Sequence, residues 1–466
     1  MFGTEVFIID PENEYQRMAE AVGGAYVRLS LNSTTRINPF DLPQVVDGEE
    51  ADNALRSNLI TLHGLLRLMM GGAQAQIAGQ QGAMIAPALS PVEESDLDQA
   101  LIETYAKVGI TNDPLTHKSQ PPTIGDLYDT LLHMGGTGPQ LAQRLRKYTT
   151  GTFAGIFSQQ SNVNINNPLV VFNIRDLEDE LRPVAMYIVL NSIWNKTKSD
   201  QKKRLLVVDE AWQLMKYEDS ANFMFSLAKR ARKYNLGITT ITQDVEDFMG
   251  SRMGRAIVAN SSMQLLLKQS ASAVDVLSEV FKLTSEEKKR LSQFPVGQGL
   301  FFAGQNHVHI QIVPSQTEAS LITTNPEQVK QLEQQQQNQQ ENQENQENQD
   351  QQNQENQQEK ESDKDQNGQQ SPPEQEDENK DVKNQNNVNS GKPQDMEQKQ
   401  IERMLKRIEE EDKKVQRAPD AHSFRGRNRV RQVVTVVGRF LQTMAHRKRH
   451  VRASFICSSS RIRREH

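Results

Sequence analysis

RLLVVDEAWQLM, residues 204–215, is the stretch whose reading decides the fold. Leu205, Leu206, Val207 and Val208 form an unbroken apolar run, as a strand buried on both faces requires. The run stops on two carboxylates, Asp209 and Glu210. That ending suits phosphoanhydride hydrolysis. The first carboxylate would orient Mg2+ through its water shell, and the second would polarise the attacking water. Any buried strand that leads into an acidic loop shares the pattern, so the surrounding sequence must decide.

Working outward, LRPVAMYIVLNSIWNKT (181–197) reads as a helix and PLVVFNI (168–174) as a strand before it. Downstream, a helix over roughly 220–234 leads to the strand GITTITQ (237–243), followed by QLLLKQ (264–269), GLFFAG (299–304) and HIQIV (309–313). At the start of the chain EVFIID (5–10) is a further apolar run, and PENEYQRMAEAVG (11–23) reads as a helix with Pro11 in its first turn. Strands alternating with helices of this length predict an α/β fold with a mainly parallel, helix-covered sheet.

Residues 44–150 break the alternation. Patterns such as ALRSNLITLHGLLRLMM (54–70) and DLYDTLLHMG (126–135) are helical, with Gly- and Pro-containing loops between them. They predict an all-α insertion between two pieces of one core, 1–43 and 151–325. Globular patterning ends near Asn325. Twenty-five of residues 331–370 are Gln or Asn and Leu332 is their only aliphatic residue, so too little apolar surface exists to offset ordering entropy and 326–399 is expected to be disordered. Residues 400–416 carry a short apolar stripe (Ile401, Met404, Leu405, Ile408, Val415) and predict a short amphipathic helix.

The net charge of −6 conceals a split: residues 417–466 hold thirteen Lys and Arg against Asp420 and Glu465, a local +11 that leaves −17 on the rest. Such a basic end suits phosphate contacts with nucleic acid or acidic lipid, and a frameshifted or fused reading frame explains its composition equally well. A single cysteine, Cys457, excludes an internal disulfide framework. Residues 1–10 read as a strand rather than a signal peptide, and no apolar run is long enough to span a membrane.

Beside Asp209 and Glu210, three sets of residues are candidates for the site. Gln243 ends the next strand, thirty-four residues after Asp209, where an amide can touch both a γ-phosphate and the attacking water. Its ordinary alternative is a solvated strand end. Arg230 and Arg232 lie in the cationic segment LAKRARK (227–233). On a helix they point about 200° apart, so one at most serves as an arginine finger for a neighbouring subunit, and a solvated basic face accounts for either. Lys268 and Gln269 end the following strand and are candidates for the γ-phosphate or a subunit interface.

Together with VVDEAWQLM (207–215), the motifs IIDPENEY (8–15), INPFDL (37–42), TFAGIFSQQSNV (152–163), ITTITQD (238–244), LLLKQS (265–270) and GQGLFFAGQNHVHIQIVPSQTE (297–318) resemble the VirB-four (TraC/TraE-type) ATPases of conjugation and type IV secretion. The resemblance covers residues 1 to about 320 in the family's order. It implies a RecA-like P-loop NTPase core that uses ATP and Mg2+. It also implies a hexamer-forming motor, peripheral at the cytoplasmic face of the cell membrane, working with inner-membrane secretion-channel and coupling proteins on protein or DNA substrates. Asp209 (nucleotide and metal), Glu210, Gln243 and one of Arg230 or Arg232 stand at the family's motif positions, and Lys268 and Gln269 at its next motif. DNA-pumping translocases of the TraG and HerA kind share the Walker B strand and the glutamine strand, but match DEAW and INPFDL less well.

One family element has no counterpart. The phosphate loop G-x-x-x-x-G-K-[ST] should precede the IIDPENEY strand, and the later pair Gly391-Lys392 leads into Pro393 without the hydroxyl that ligates Mg2+. Loop backbone N–H groups and lysine form the main cradle for the β- and γ-phosphates. The expectation is therefore a truncated chain, inactive alone, or a non-hydrolysing scaffold that docks with a full-length partner.

Overall fold

The computed structural model describes residues 3–44, 53–70 and 89–323 apart from 201 and 305, positions 327, 328, 330, 331 and 334, and the backbone of 454–458. Contacts divide the chain into two units, Met1–Pro314 with Arg427–His466, and Ser315–Gly426. The expectation for 326–399 lies outside the described residues except at 327, 328, 330, 331 and 334, which are helical; those for 400–416, and for 417–466 apart from one short strand, lie outside them altogether.

Glu5–Asp10 (β1) is buried on both faces because its side chains alternate between two cores. Phe7 and Ile9 join the larger, helix-covered cluster, whereas Ile8 joins a second cluster with Val171, Leu205, Val207 and Ile241 on the opposite face. Beside β1 run Leu169–Asn173 (β3) and Arg204–Val208 (β4), both parallel to it. Ala25–Arg28 (β2) extends the sheet beyond β3, and Leu236–Thr242 (β5) extends it beyond β4, again in parallel.

Past β5 the sheet continues through Ser454–Ser458 (β9), Met263–Leu267 (β6), Gln298–Ala303 (β7) and Asn306–Gln311 (β8), in the order β2-β3-β1-β4-β5-β9-β6-β7-β8. β9 is antiparallel to both neighbours, so β5 and β6 run parallel to each other one strand apart. β7 and β8 are antiparallel additions at that end. The sheet is thus mainly parallel, as expected of an α/β, RecA-like core.

In chain order the helices are Gln16–Ala21 (α1), Ala54–Met69 (α2), Pro91–Lys107 (α3), Ile124–His133 (α4), Gly138–Thr149 (α5), Ala154–Phe157 (α6), Arg182–Asp200 (α7), Trp212–Met215 (α8), Glu218–Arg230 (α9), Val245–Gly250 (α10), Arg252–Asn260 (α11), Ala271–Phe281 (α12), Ser285–Gln293 (α13) and Gln316–Ile322 (α14). α2 to α5 fall in the stretch expected to be helical. α7 is buried nearly all round because it lies between β1 on one side and α2 and α9 on the other. In the second unit, α14 starts with a capping box in which Ser315 and Glu318 satisfy each other's backbone N–H groups. Among the described residues no helix is long and apolar enough to cross a membrane.

Two helices differ from the sequence reading. The expected helix over 11–23 begins only at Gln16, because the Asp10 carboxylate accepts the Glu14 and Tyr15 N–H groups at 3.0 Å each, and Asn13 takes φ +60°. These side-chain bonds divert the first turn from helical pairing. The expected helix over 220–234 runs from Glu218 to Arg230, then tightens into a 3-10 turn that ends on left-handed Asn235.

Candidate functional site

In a parallel sheet the crevice for ligands lies outside the carboxyl ends of the strands, and at that edge stand Asp10, Asp209 and Glu210. Asp10 ends β1, and Asp209 follows β4, its N–H donating to the Ile9 carbonyl at 3.1 Å. Both side chains are fully buried. Burial pushes the Asp10 carboxyl up to about 6; the Tyr15 and Glu14 N–H groups oppose the shift, and the nearby charge of Asp209 adds to it. The Asp209 charge disfavours ionisation of Asp10, which a cation beside both side chains would relieve.

Glu210 sits on a strained turn. Its φ of +47° is left-handed, a conformation that costs a non-glycine residue about 1–3 kcal/mol. Three bonds donated by backbone N–H groups hold it, one to a side chain and two to carbonyls: Glu210 N–H to Asp209 Oδ1 at 3.0 Å, Ala211 N–H to the Ile241 carbonyl at 2.9 Å, and Gln213 N–H to the Glu210 carbonyl at 3.0 Å. The middle bond ties the turn to β5, so the end of β4 is fixed by its neighbour. The Glu210 side chain, only 6% exposed, then meets two donors. Gln243 Nε2 donates to Oε1 at 2.8 Å, and Trp212 Nε1 donates to Oε2 at 2.7 Å.

The fold brings Asp209, Glu210 and Gln243 together because β4 and β5 are neighbours. Lys268 (exposed) and Gln269 (4% exposed) end β6 at the same edge. The place of β9 separates them from β5, about 10 Å across the sheet. The Gln269 amide is turned back onto its own strand, donating to the Leu267 carbonyl at 3.1 Å.

Arg230 and Arg232 lie elsewhere. They precede β5, so the whole strand, roughly 20 Å, separates them from the Glu210 edge. Both are exposed, and the Arg230 guanidinium stacks 5.3 Å from the Trp194 ring centroid. Neither reaches Asp209 or Glu210 within this chain.

Asp10 and Trp212 join the site without having been expected there from sequence, although both stand in the motifs IIDPENEY and VVDEAWQLM. The signal for Trp212 was its place two residues after Glu210; the signal for Asp10 was a buried strand ending on an acid beside a second such strand.

The residues fit a divalent cation better than they fit a nucleotide. Mg2+ needs one or two carboxylates plus water and phosphate oxygens, which Asp209 beside Asp10 supplies. Among the described residues no cluster of three or more His, Cys, Asp or Glu forms a protein cage for a metal. For phosphates the match is poor, because no G-x-x-x-x-G-K-[ST] turn stands anywhere in the sequence.

Comparison with known proteins matches residues 140–344 to the TraG P-loop domain family. Protein TraC of Escherichia coli (strain K12) is 24% identical over 275 residues, covering 57% of this chain and 29% of TraC. The type IV secretion system protein virB4 of Bartonella quintana (strain Toulouse) is 25% identical over 152 residues, covering 32% of this chain and 19% of that protein. The chain therefore spans less than a third of the length of these curated relatives. The solved structure of VirB4 of Thermoanaerobacter pseudethanolicus superposes with a TM-score of 0.57 at 27% identity, covering 70% of this chain and 84% of that one.

Proposed function

Because the chain belongs to the VirB4/TraC-type family of conjugation and type IV secretion ATPases, we propose that it supplies the Walker B half of an ATP-hydrolysing site in a secretion motor. The observation that carries this reading is the edge where buried Asp209 precedes Glu210, whose two carboxylate oxygens are held by Gln243 and Trp212.

Asp209 would hold Mg2+ through its water shell, Glu210 would polarise the attacking water, and Gln243 would sense the γ-phosphate. A bound Mg2+–ATP supplies the phosphoryl group and neutralises its charge. Placement of Arg230 and Arg232 at the far edge supports a role, if either acts as a finger, on the nucleotide of a neighbouring subunit in a hexamer. Lys268 and Gln269 would face the phosphates or that interface. The helices of 44–150 would be an insertion in the core, and the motor would act with secretion-channel and coupling proteins at the membrane's cytoplasmic face on protein or DNA substrates.

The absence of G-x-x-x-x-G-K-[ST] from all 466 residues favours a second reading, a non-hydrolysing scaffold that docks with a complete partner. One experiment separates the two. The 466-residue chain should show no ATP turnover above background. An N-terminal extension carrying the strand, phosphate loop and helix should create turnover that Glu210→Gln abolishes. Continued inactivity of the extended protein, with nucleotide bound, would refute the ATPase reading and leave the scaffold.

A further inference from the structure

The main chain of the Walker B turn fixes where the Glu210 Cα–Cβ bond points, but not where its carboxylate goes. Three side-chain torsions remain, and a base that is to polarise one water must have them settled. The two donors on this carboxylate differ in kind. Gln243 is exposed at a strand end, and its amide has both donor and acceptor atoms, so it is able to exchange partners. Trp212 is not. Its ring packs against the main core cluster, the Lys216 ammonium lies over the ring 4.3 Å from its centroid, and an indole N–H donates but never accepts. It is also rigid, having only two side-chain torsions.

We propose that Trp212 is a positioning residue for Glu210: its indole N–H anchors Oε2 permanently, so that Oε1 is the oxygen offered to water whenever Gln243 leaves it for a phosphate. Resting on the ATPase reading above, this makes the tryptophan of DEAW part of the hydrolytic machinery without touching substrate. The Gln243 bond then serves as an exchangeable latch. While it is made, both carboxylate oxygens have donors; when it breaks, one oxygen is released and the other stays anchored. A tryptophan present only for packing would need no particular atom on Glu210, and any ring of its size would serve.

The test uses the full chain labelled with 15N at its two tryptophans, Trp194 and Trp212. Trp212→Phe assigns the Trp212 indole signal by its disappearance. The expected Trp212 Nε1 proton is shifted downfield and protected from exchange. In Glu210→Ala it should move upfield and exchange about tenfold faster or more, the factor expected for losing one charge-assisted bond. Glu210→Gln, which keeps an acceptor oxygen, should restore most of the shift, and Gln243→Ala should leave the signal in place. A Trp212 indole signal unmoved by Glu210→Ala overturns the proposal.

A second arm uses the extended protein. There Trp212→Phe should lower kcat by about tenfold to a hundredfold with KM unchanged, because Glu210 remains but wanders. Unchanged kcat overturns the positioning role. If the extended protein binds nucleotide yet never turns it over even with Trp212 intact, the ATPase reading fails, and the indole signal still decides whether Trp212 anchors Glu210.

Discussion

Arg67→Met tests how the helical segment is held to the sheet layer. Arg67, near the end of α2, donates through Nε and Nη2 to Asp219 Oδ1 at 3.1 and 2.7 Å, and through Nη1 to both oxygens of Glu94 at 3.3 Å. Asp219 lies in the first turn of α9, and Glu94 in the first turn of α3, so one guanidinium joins three helices. Burial alone would lower the Arg67 pKa; the bonds to Asp219, and then Glu94, more than reverse this and raise it.

The two pairs should differ in strength. The Asp219 side chain is 15% exposed, so its short, charge-assisted contact is worth about 1.5–3 kcal/mol. The Glu94 side chain is 38% exposed and its contacts are longer, which places that pair below about 1 kcal/mol. Methionine keeps most of the aliphatic stem, so Arg67→Met should lose about 2–4 kcal/mol, mainly by stranding Asp219. Asp219→Asn alone also forfeits the favourable charge at the start of α9, and a double-mutant cycle removes that contribution. Urea unfolding followed by tryptophan fluorescence should give a coupling of about 1.5–3 kcal/mol for Arg67–Asp219 and under about 1 kcal/mol for Arg67–Glu94. A coupling to Glu94 that equals or exceeds that to Asp219 would refute the reasoning, as would a loss below about 0.5 kcal/mol for Arg67→Met.

Tyr105→Phe should cost about 1–3 kcal/mol in urea unfolding, because the buried hydroxyl donates to the Phe40 carbonyl at 2.7 Å and accepts from Asn58 Nδ2 at 2.8 Å, leaving two polar groups unpaired. Gly254→Ala would set a methyl against the Phe248 carbonyl at the corner between α10 and α11, and should lower Tm with a loss of about 1–3 kcal/mol; an unchanged Tm would show that the corner can open freely. Asp10, with its carboxyl raised from 3.8 to about 6, holds its proton more tightly folded than unfolded. Its contribution is therefore fully present below about 3.8 and lost as pH rises through about 6, on the order of 3 kcal/mol in all. Unfolding of wild type and Asp10→Asn compared at pH 4 and 7.5 should show this slope in the wild type alone, and equal slopes would count against a strained Asp10.

The strands that were legible in the sequence are those with both faces buried. β1, β3 and β4 are continuous apolar runs, which no solvated segment produces by chance as readily. Exposure erased that signal at the two edges of the sheet. β2 was missed because AYVR is four residues long and ends on an exposed arginine. β8 was expected over 309–313 but spans Asn306–Gln311, since NHVHIQ alternates polar and apolar residues along a half-exposed edge. The delayed start of α1 was illegible for another reason. Only the placement of Asp10 beneath the turn shows that a side chain, not the helix, takes the Glu14 and Tyr15 N–H groups.

The same physics explains how much of the site could be read. Asp209, Glu210 and Gln243 end successive strands, and β4 and β5 pair directly, so succession in sequence equalled adjacency in space. Lys268 and Gln269 also end the next strand in sequence, yet β6 does not pair with β5. Sequence spacing carries no information about that gap. Its content matters for chemistry. A strand parallel to β5 and β6 in that place would turn at the Glu210 edge, and a helix following the turn would aim its first N–H groups at an anion there. β9 instead runs antiparallel, with Ser454 opposite Thr242, so it enters at that edge rather than turning there. The edge thus has its acid, its amide and its indole in place, while the position best suited to deliver a phosphate-binding turn holds a strand of the opposite sense. With this arrangement the carboxylate proposed to polarise water is already positioned and the phosphate contacts are not. Adding a phosphate loop should therefore create activity without any change to Asp209, Glu210, Trp212 or Gln243.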